Sequence, residues 1–311
     1  MSMQKLFWLL TLVGLTAVVS LAAFYPRAAD RADAAMNADA RLLETGNSAA
    51  RKVVPAFKEL KIISYNIRFR SGDDLKQLIK LFQEDKEIGG AAILGLQEVD
   101  RNKKRSGNKN TAALMAHELG MHYAWAAPPS TEKEEQTGVS ILSAYPLTDV
   151  RRIVLPHKGP GNRRRVALGA TVQLGGGVNV RVYSVHGETR MKVSRKIDQM
   201  KAVIEDLRRH DKDMPAIVLG DLNTWEPAAV DDTVKLFTGE QFQTPFSDES
   251  TFFTRVVFLP IKLKLDWIWL RNLKAYSHGI DREIKISDHW PLWIVVQKPE
   301  LPPVSKPALS D

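Results

Sequence analysis

Between residues 60 and 296, short apolar runs alternate with amphipathic stretches. Residues 61–67 read as a strand. Residues 73–85 carry Leu75, Leu78, Ile79 and Phe82 at helical spacing, which predicts a helix with one apolar face. The apolar run 91–97 is short enough for a buried strand. A second helix over 111–119 is ended by Gly120. Strands follow over 139–142, 165–174 and 178–186, with Gly175, Gly176 and Gly177 forming a hairpin turn between the last two. Residues 190–209 predict a long helix, basic on its exposed side. Residues 216–219, 251–258, 265–270 and 291–296 complete the set of strands. Many strands with a few interspersed helices predict an α/β (α+β) domain of two packed sheets flanked by helices.

The flanks have a different texture. After Lys5, residues 6–26 are uncharged, and their apolar core LFWLLTLVGLTAVVSLAAFY is 20 residues long. A helix of roughly that length crosses a bilayer. A basic start, an apolar middle and small residues such as Ala22, Ala23, Ala28 and Ala29 also describe a secretory signal peptide. The expectation is therefore a signal peptide or an uncleaved anchor over 1–26, a linker over 27–58, a compact domain over 59–297 and a disordered Pro-rich tail over 298–311. On this reading the domain is exported: periplasmic, extracellular or tethered to the outer face of the cytoplasmic membrane. No obligate protein partner is evident.

Composition narrows the chemistry. The 311 residues are 44% hydrophobic and 26% charged, enough to bury a substantial core. There is no cysteine, which removes disulfides, thiolate metal sites, Cys nucleophiles and a lipoprotein anchor. The net charge of +8, with a pI near 9.5, favours anionic partners such as nucleic acid, anionic lipid or phosphorylated small molecules.

Polar residues collect at the predicted strand ends, where a rigid scaffold presents reactive groups. Asn66 closes the first strand in SYNIR and Glu98 the second in LQEVD. His186 closes YSVHGE, Asp221 and Asn223 follow the buried run in GDLN, Asp266 opens LDWIWL, and Asp288 and His289 sit in SDHWP. Glu98, Asp221, Asp266 and Asp288 are hard oxygen donors. With no HxxxH and no cysteine, zinc is not indicated. An oxygen-rich set with few protein ligands suits Mg²⁺, with Mn²⁺ or Ca²⁺ as alternatives. Asp288, adjacent to His289, is a candidate to hold that imidazole in one tautomer for base catalysis.

In this order, SYNIR, QEVD, SVH, GDLN, LDWI and SDH resemble the endonuclease/exonuclease/phosphatase superfamily, whose members include DNase I and neutral sphingomyelinases. The resemblance covers residues 60–296. It implies a four-layer sandwich, with two mixed sheets face to face and helices outside. It also implies that Glu98 is the principal Mg²⁺ ligand, helped by Asn66 and with Asp288 nearby, and that His289, oriented by Asp288, prepares the attacking water. Asp221 contacts that nucleophile or a second metal, and Asn223 holds a phosphate oxygen. His186, paired with Asp266, stabilises the transition state or protonates the leaving group. Arg68 is a candidate phosphate contact, as is one of Arg163, Arg164 and Arg165, with Arg165 preferred.

Two departures bear on substrate. Gly187 and Glu188 follow His186 where the family often has Leu, placing a negative charge near the site. Val99, Asp100 and Arg101 follow Glu98 where abasic-site endonucleases commonly carry Lys, which favours the phosphodiesterase and sphingomyelinase-like branch. Three functions stand against one another. The first is a Mg²⁺-dependent phosphodiesterase or phosphatase acting on lipid head groups or small phosphoesters. The second is a secreted or periplasmic DNase I-like nuclease. The third, and weakest, is a catalytically silent binding module. A lipid enzyme should expose an apolar loop near its cleft, and FFTRVVFLPIKL over 252–263 is the candidate. Trp225, Trp267, Trp269, Trp290 and Trp293 are expected in the core or on strand faces.

Overall fold

The structure is a computed structural model that describes residues 40–47, 59–129 and 135–297. The expected signal or anchor segment and the C-terminal tail lie outside the described residues, as does most of the expected linker. No helix among the described residues is long and apolar enough to cross a membrane.

Fourteen strands are described. β1 (Leu43–Asn47), β2 (Glu59–Asn66), β3 (Ile93–Arg101), β4 (His122–Ala126), β5 (Gln136–Ser143), β13 (Ala275–Ile280) and β14 (Leu292–Gln297) form a seven-stranded sheet in the order β1-β4-β5-β3-β2-β14-β13. β6 (Leu147–Val154), β7 (Val166–Gln173), β8 (Asn179–His186), β9 (Ala216–Asp221) and β12 (Asp266–Arg271) form a five-stranded sheet in the order β12-β9-β8-β7-β6. β10 (Phe252–Val256) and β11 (Leu259–Leu263) make a separate hairpin. Only β2 with β3 and β8 with β9 pair in parallel.

The two sheets face each other across one apolar layer. Ile62, Ile93 and Ile141 from the larger sheet meet Leu168, Val180, Leu219 and Ile268 from the smaller. A Cβ on Gly95 would overlap a methyl group of Leu219, so glycine sets how closely the sheets approach there. A buried polar link sits in the same layer: Gln97 Nε2 donates to Ser184 Oγ at 3.1 Å.

Helices cover the outer faces. On the larger sheet, α1 (Gly72–Glu84) buries Leu75, Leu78, Ile79 and Phe82, and its first turn carries Asp73 and Asp74, favourable at a helix N-terminus. Beside it, α2 (Thr111–Leu119) is capped by Asn110, whose side chain accepts from the backbone of Ala112 and Ala113, and ends at left-handed Gly120. On the smaller sheet, α3 (Val193–Leu207) buries Ile197, Met200, Val203, Ile204 and Leu207, and α4 (Pro227–Gly239) buries Phe237 against Trp269. This is the expected four-layer sandwich.

Three expectations are corrected. Residues 43–47, placed in the linker, form an edge strand on β4. The helix expected over 190–209 is shorter, α3 running Val193–Leu207, and one of its basic residues, Lys196, is buried. Trp225 is not a core residue: it is 48% exposed.

Candidate active site

Topology explains why distant motifs converge. Asn66 and Glu98 lie at the same edge because β2 and β3 run in parallel, as do His186 and Asp221 at the ends of β8 and β9. β12 and β14 run antiparallel to β9 and β2, so their first residues return to that edge, bringing Asp266 opposite Asp221 and His289 near Asn66. The backbone is strained here: Arg68, Phe69, Glu98 and Asn223 all take positive φ, between 48° and 57°. At Glu98 the cause is a bulge between Gln97 and Val99, which turns the carboxylate out of the ladder.

Asp221 Oδ2 is the centre of the arrangement. Asn66 Nδ2 donates to it at 3.0 Å, and Nε2 of His186 and of His289 lie 3.6 and 3.8 Å away. Arg68, Glu98, Arg165, His186, Asp221, Asn223, Asp288 and His289 line one cleft of about 390 Å³, walled by Phe69, Trp225, Phe252, Leu263 and Leu265. Asn66 and Asp266 are buried just behind it.

The structure changes both expected histidine pairings. Asp266 Oδ2, not Asp288, meets His289 Nδ1, at 2.8 Å. The Asp288 carboxylate pairs instead with Arg68 Nη1 at 3.1 Å, in the same cleft. His186, expected to pair with Asp266, instead has Arg165 Nη1 3.3 Å from its Nδ1. The β7–β8 register pairs Val166 with His186, and that delivers Arg165 to the imidazole.

Several partners were not visible in the sequence. Thr251 Oγ1 donates to Asp266 Oδ2 at 2.7 Å and accepts from the backbone of Leu265 and Asp266, so it fixes the carboxylate that fixes His289. Lys196 Nζ binds the backbone oxygen of Asn223 at 2.7 Å and Glu226 at 2.6 Å, clamping the GDLN loop. The Asn223 amide donates to Gly187 O and accepts from Thr189 Oγ1, each at 2.9–3.0 Å. Glu188, read as an added negative charge, is fully buried against Arg163 and Arg165. A threonine in a strand-like run and a lysine in a helix carry no pattern that marks such roles.

Charge is concentrated here. Burial, reinforced by Asp266 and Glu98, raises the Asp221 pKa above the carboxylate range. Burial works against a proton on His289, but Asp266 and Asp221 outweigh it and carry the imidazole up to about 10. Burial and the adjacent Arg165 push His186 well below the ordinary histidine value.

The donor set fits a hard divalent cation. The Glu98 carboxylate accepts one hydrogen bond among the described residues, a long 3.4 Å contact from Asn66, and Asp266 Oδ1 is buried without a hydrogen-bond partner among them. Asp221, Asp266 and His289 also bring a ligand atom each to within 4.8 Å of one another. Asp266 Oδ2 already bonds His289 and Thr251, so Thr251, Asp266 and His289 form a hydrogen-bonded relay in this structure.

Solved structures share this fold. An endonuclease/exonuclease/phosphatase from Beutenbergia cavernae is 16% identical, with 77% of this chain and 72% of that one covered and a TM-score of 0.60. The catalytic domain of human Nocturnin with bound sulfate is 15% identical, with 82% and 96% covered and a TM-score of 0.58. Beta toxin from Staphylococcus aureus is 15% identical, with 76% and 99% covered and a TM-score of 0.54. No curated protein matches the chain. Residues 63–289 match the profile of the Endonuclease/Exonuclease/phosphatase family, and the chain belongs to that family of phosphoester hydrolases.

Proposed function

We propose that this chain is a Mg²⁺-dependent phosphodiesterase that acts on lipid head groups or small phosphoesters outside the cytoplasm. The carrying observation is the β10–β11 hairpin. Its tip exposes Val256, Val257, Phe258 and Leu259, with Phe258 90% exposed, and Arg255 and Lys262 flank the tip. Its base belongs to the cleft: the Phe252 ring lies 5.0 Å from that of His289, and Phe253 N donates to Asp288 O at 2.8 Å. An apolar tip between two cations fits a bilayer interface, where it would bring head groups to the cleft. The 20-residue apolar N-terminal run supports the same location.

Glu98, with Asn66 and Asp288, would hold the ion, which when bound supplies charge neutralisation and polarises a phosphoryl oxygen. The protein's own groups do the rest. Asp266 and Asp221 by themselves favour a proton on His289; the charge of a cation held at Glu98 would oppose it and leave Nε2, with Asp266 fixing the ring through Nδ1, to take a proton from the attacking water. Asp221 Oδ2, between the two imidazoles, orients that water. The remaining Asn223 amide hydrogen and His186 Nε2 face the phosphoryl oxygens, where negative charge spreads in the transition state. Arg68 and Arg165 add positive charge on the two sides of the cleft.

The nuclease reading rests on a different observation. Lys103, Lys104, Arg105 and Lys109 follow Glu98 on one loop, and the Arg105 guanidinium stacks 3.7 Å over the ring of the cleft residue Phe69. The two readings separate when purified protein with Mg²⁺ is offered sphingomyelin vesicles, a soluble aryl phosphodiester and plasmid DNA. Hydrolysis of vesicle lipid and ester without DNA nicking is expected. Nicking without lipid turnover overturns the lipid reading.

A further inference from the structure

The residue after the His186 motif that departs from the family pattern holds a buried charge assembly. Glu188 is fully buried and accepts four hydrogen bonds: from Arg163 Nε at 2.9 Å and Nη2 at 2.5 Å, from Arg165 Nε at 3.2 Å, and from Arg190 N at 3.2 Å. Its backbone N–H is bound by Gln199 Oε1 at 2.9 Å. A Cβ on Gly159 would overlap its carboxylate, so glycine at that position is what lets the chain pass so close to it. Arg165 is therefore anchored through Nε, while Nη1 of the same rigid fork reaches His186 Nδ1 at 3.3 Å.

A guanidinium only donates hydrogen bonds, so Nδ1 of His186 must accept. A neutral imidazole that accepts at Nδ1 carries its single hydrogen on Nε2, the atom that faces Asp221 and the cleft. The Nδ1–H tautomer would set two donors against each other, and an imidazolium would set two cations in contact. We propose that Glu188 is a positioning residue: acting through Arg165, it locks His186 as the Nε2–H tautomer, so that His186 serves hydrolysis as a fixed hydrogen-bond donor to the phosphoryl oxygens and not as the acid that protonates the leaving group. This rests on the phosphodiesterase reading for the reaction. The tautomer itself does not depend on that reading.

The test uses detergent-solubilised full-length protein labelled with ¹⁵N-histidine. Long-range ¹H–¹⁵N correlation at pH 7 is assigned to His186 by loss of its signals in His186→Gln. Wild type should show Nδ1 bare and Nε2 protonated. Glu188→Gln keeps the shape but leaves Arg165 without its charged anchor, and Arg165→Lys keeps the charge but lacks the fork. Both should average the tautomers and lower kcat about 10- to 100-fold with KM little changed. A protonated Nδ1 in the wild type overturns the proposal whether or not the variants fold. So does a Glu188→Gln protein with unchanged tautomer and kcat. If Glu98→Ala also retains full turnover, the reading of the reaction fails instead, and the tautomer result stands apart from it.

Discussion

Asn66 and Asp221 stand 155 positions apart, one on each sheet, and their side chains meet at 3.0 Å. That bond ties the two halves of the sandwich together at the floor of the cleft. Substituting Asn66→Ala removes it and leaves a buried carboxylate with one partner fewer, which costs on the order of 1–3 kcal/mol of stability. Activity should fall as well, since Asn66 also contacts Glu98.

The relay Thr251–Asp266–His289 is the second prediction. Asp266→Asn keeps the shape but removes the charge that holds the Nδ1 proton, and kcat should drop about 100-fold. Thr251→Val strands two backbone donors and one carboxylate contact. It should lower kcat about tenfold and also depress the melting temperature. Steady-state kinetics with thermal unfolding on both variants checks this. Wild-type kcat in Asp266→Asn would contradict the relay.

Lys264 makes an independent test of the electrostatics. It is buried, its Nζ has no hydrogen-bond partner among the described residues, and it lies 4.2 Å over the Trp267 ring. Burial lowers its pKa from 10.5 to about 8. Below pH 8 the charged form is carried in both states and its burial destabilises the fold. Between pH 8 and 10.5 the unfolded chain binds the proton and the folded chain does not, so stability rises with pH. Lys264→Met should therefore be more stable at pH 7 by on the order of 2 kcal/mol, with the advantage shrinking toward pH 10.5. Denaturant unfolding at pH 7 and pH 10 measures it, and a destabilised variant at pH 7 would contradict it.

The hairpin tip separates membrane delivery from chemistry. Val257→Ser with Phe258→Ser should weaken binding to anionic vesicles about 10- to 100-fold, the range expected from loss of one or two buried apolar side chains. Turnover of a soluble aryl phosphodiester should be unchanged. Equal loss on both substrates would mean that the hairpin supports the cleft and does not dock on lipid.

Much of this was legible from residue order. The strand-end positions Asn66, Glu98, His186, Asp221, Asn223, Asp266, Asp288 and His289 do gather at one edge, because a strand end is fixed by where its apolar run stops. Pairing was not legible. Asp288 and His289 are neighbours in sequence but take different partners, Arg68 and Asp266, and Asp266 reaches His289 through a register that only the folded sheet defines. Arg165 and Glu188 were visible only as charges, since burial turned a feared repulsion into an anchor. Strand β6, LTDVRRIV, is an edge strand with few buried positions, and α4 buries only Ala229, Thr233 and Phe237, so neither shows a clear apolar period.

The central claim is a metal-dependent hydrolytic site built on Glu98 and His289. Its most direct test is hydrolysis of a soluble aryl phosphodiester by wild type, Glu98→Ala and His289→Ala, each with Mg²⁺ and with chelator. The account predicts turnover by wild type only with Mg²⁺, and a loss of at least about 100-fold in each variant. Turnover that survives the chelator, or that persists in both variants, would contradict it.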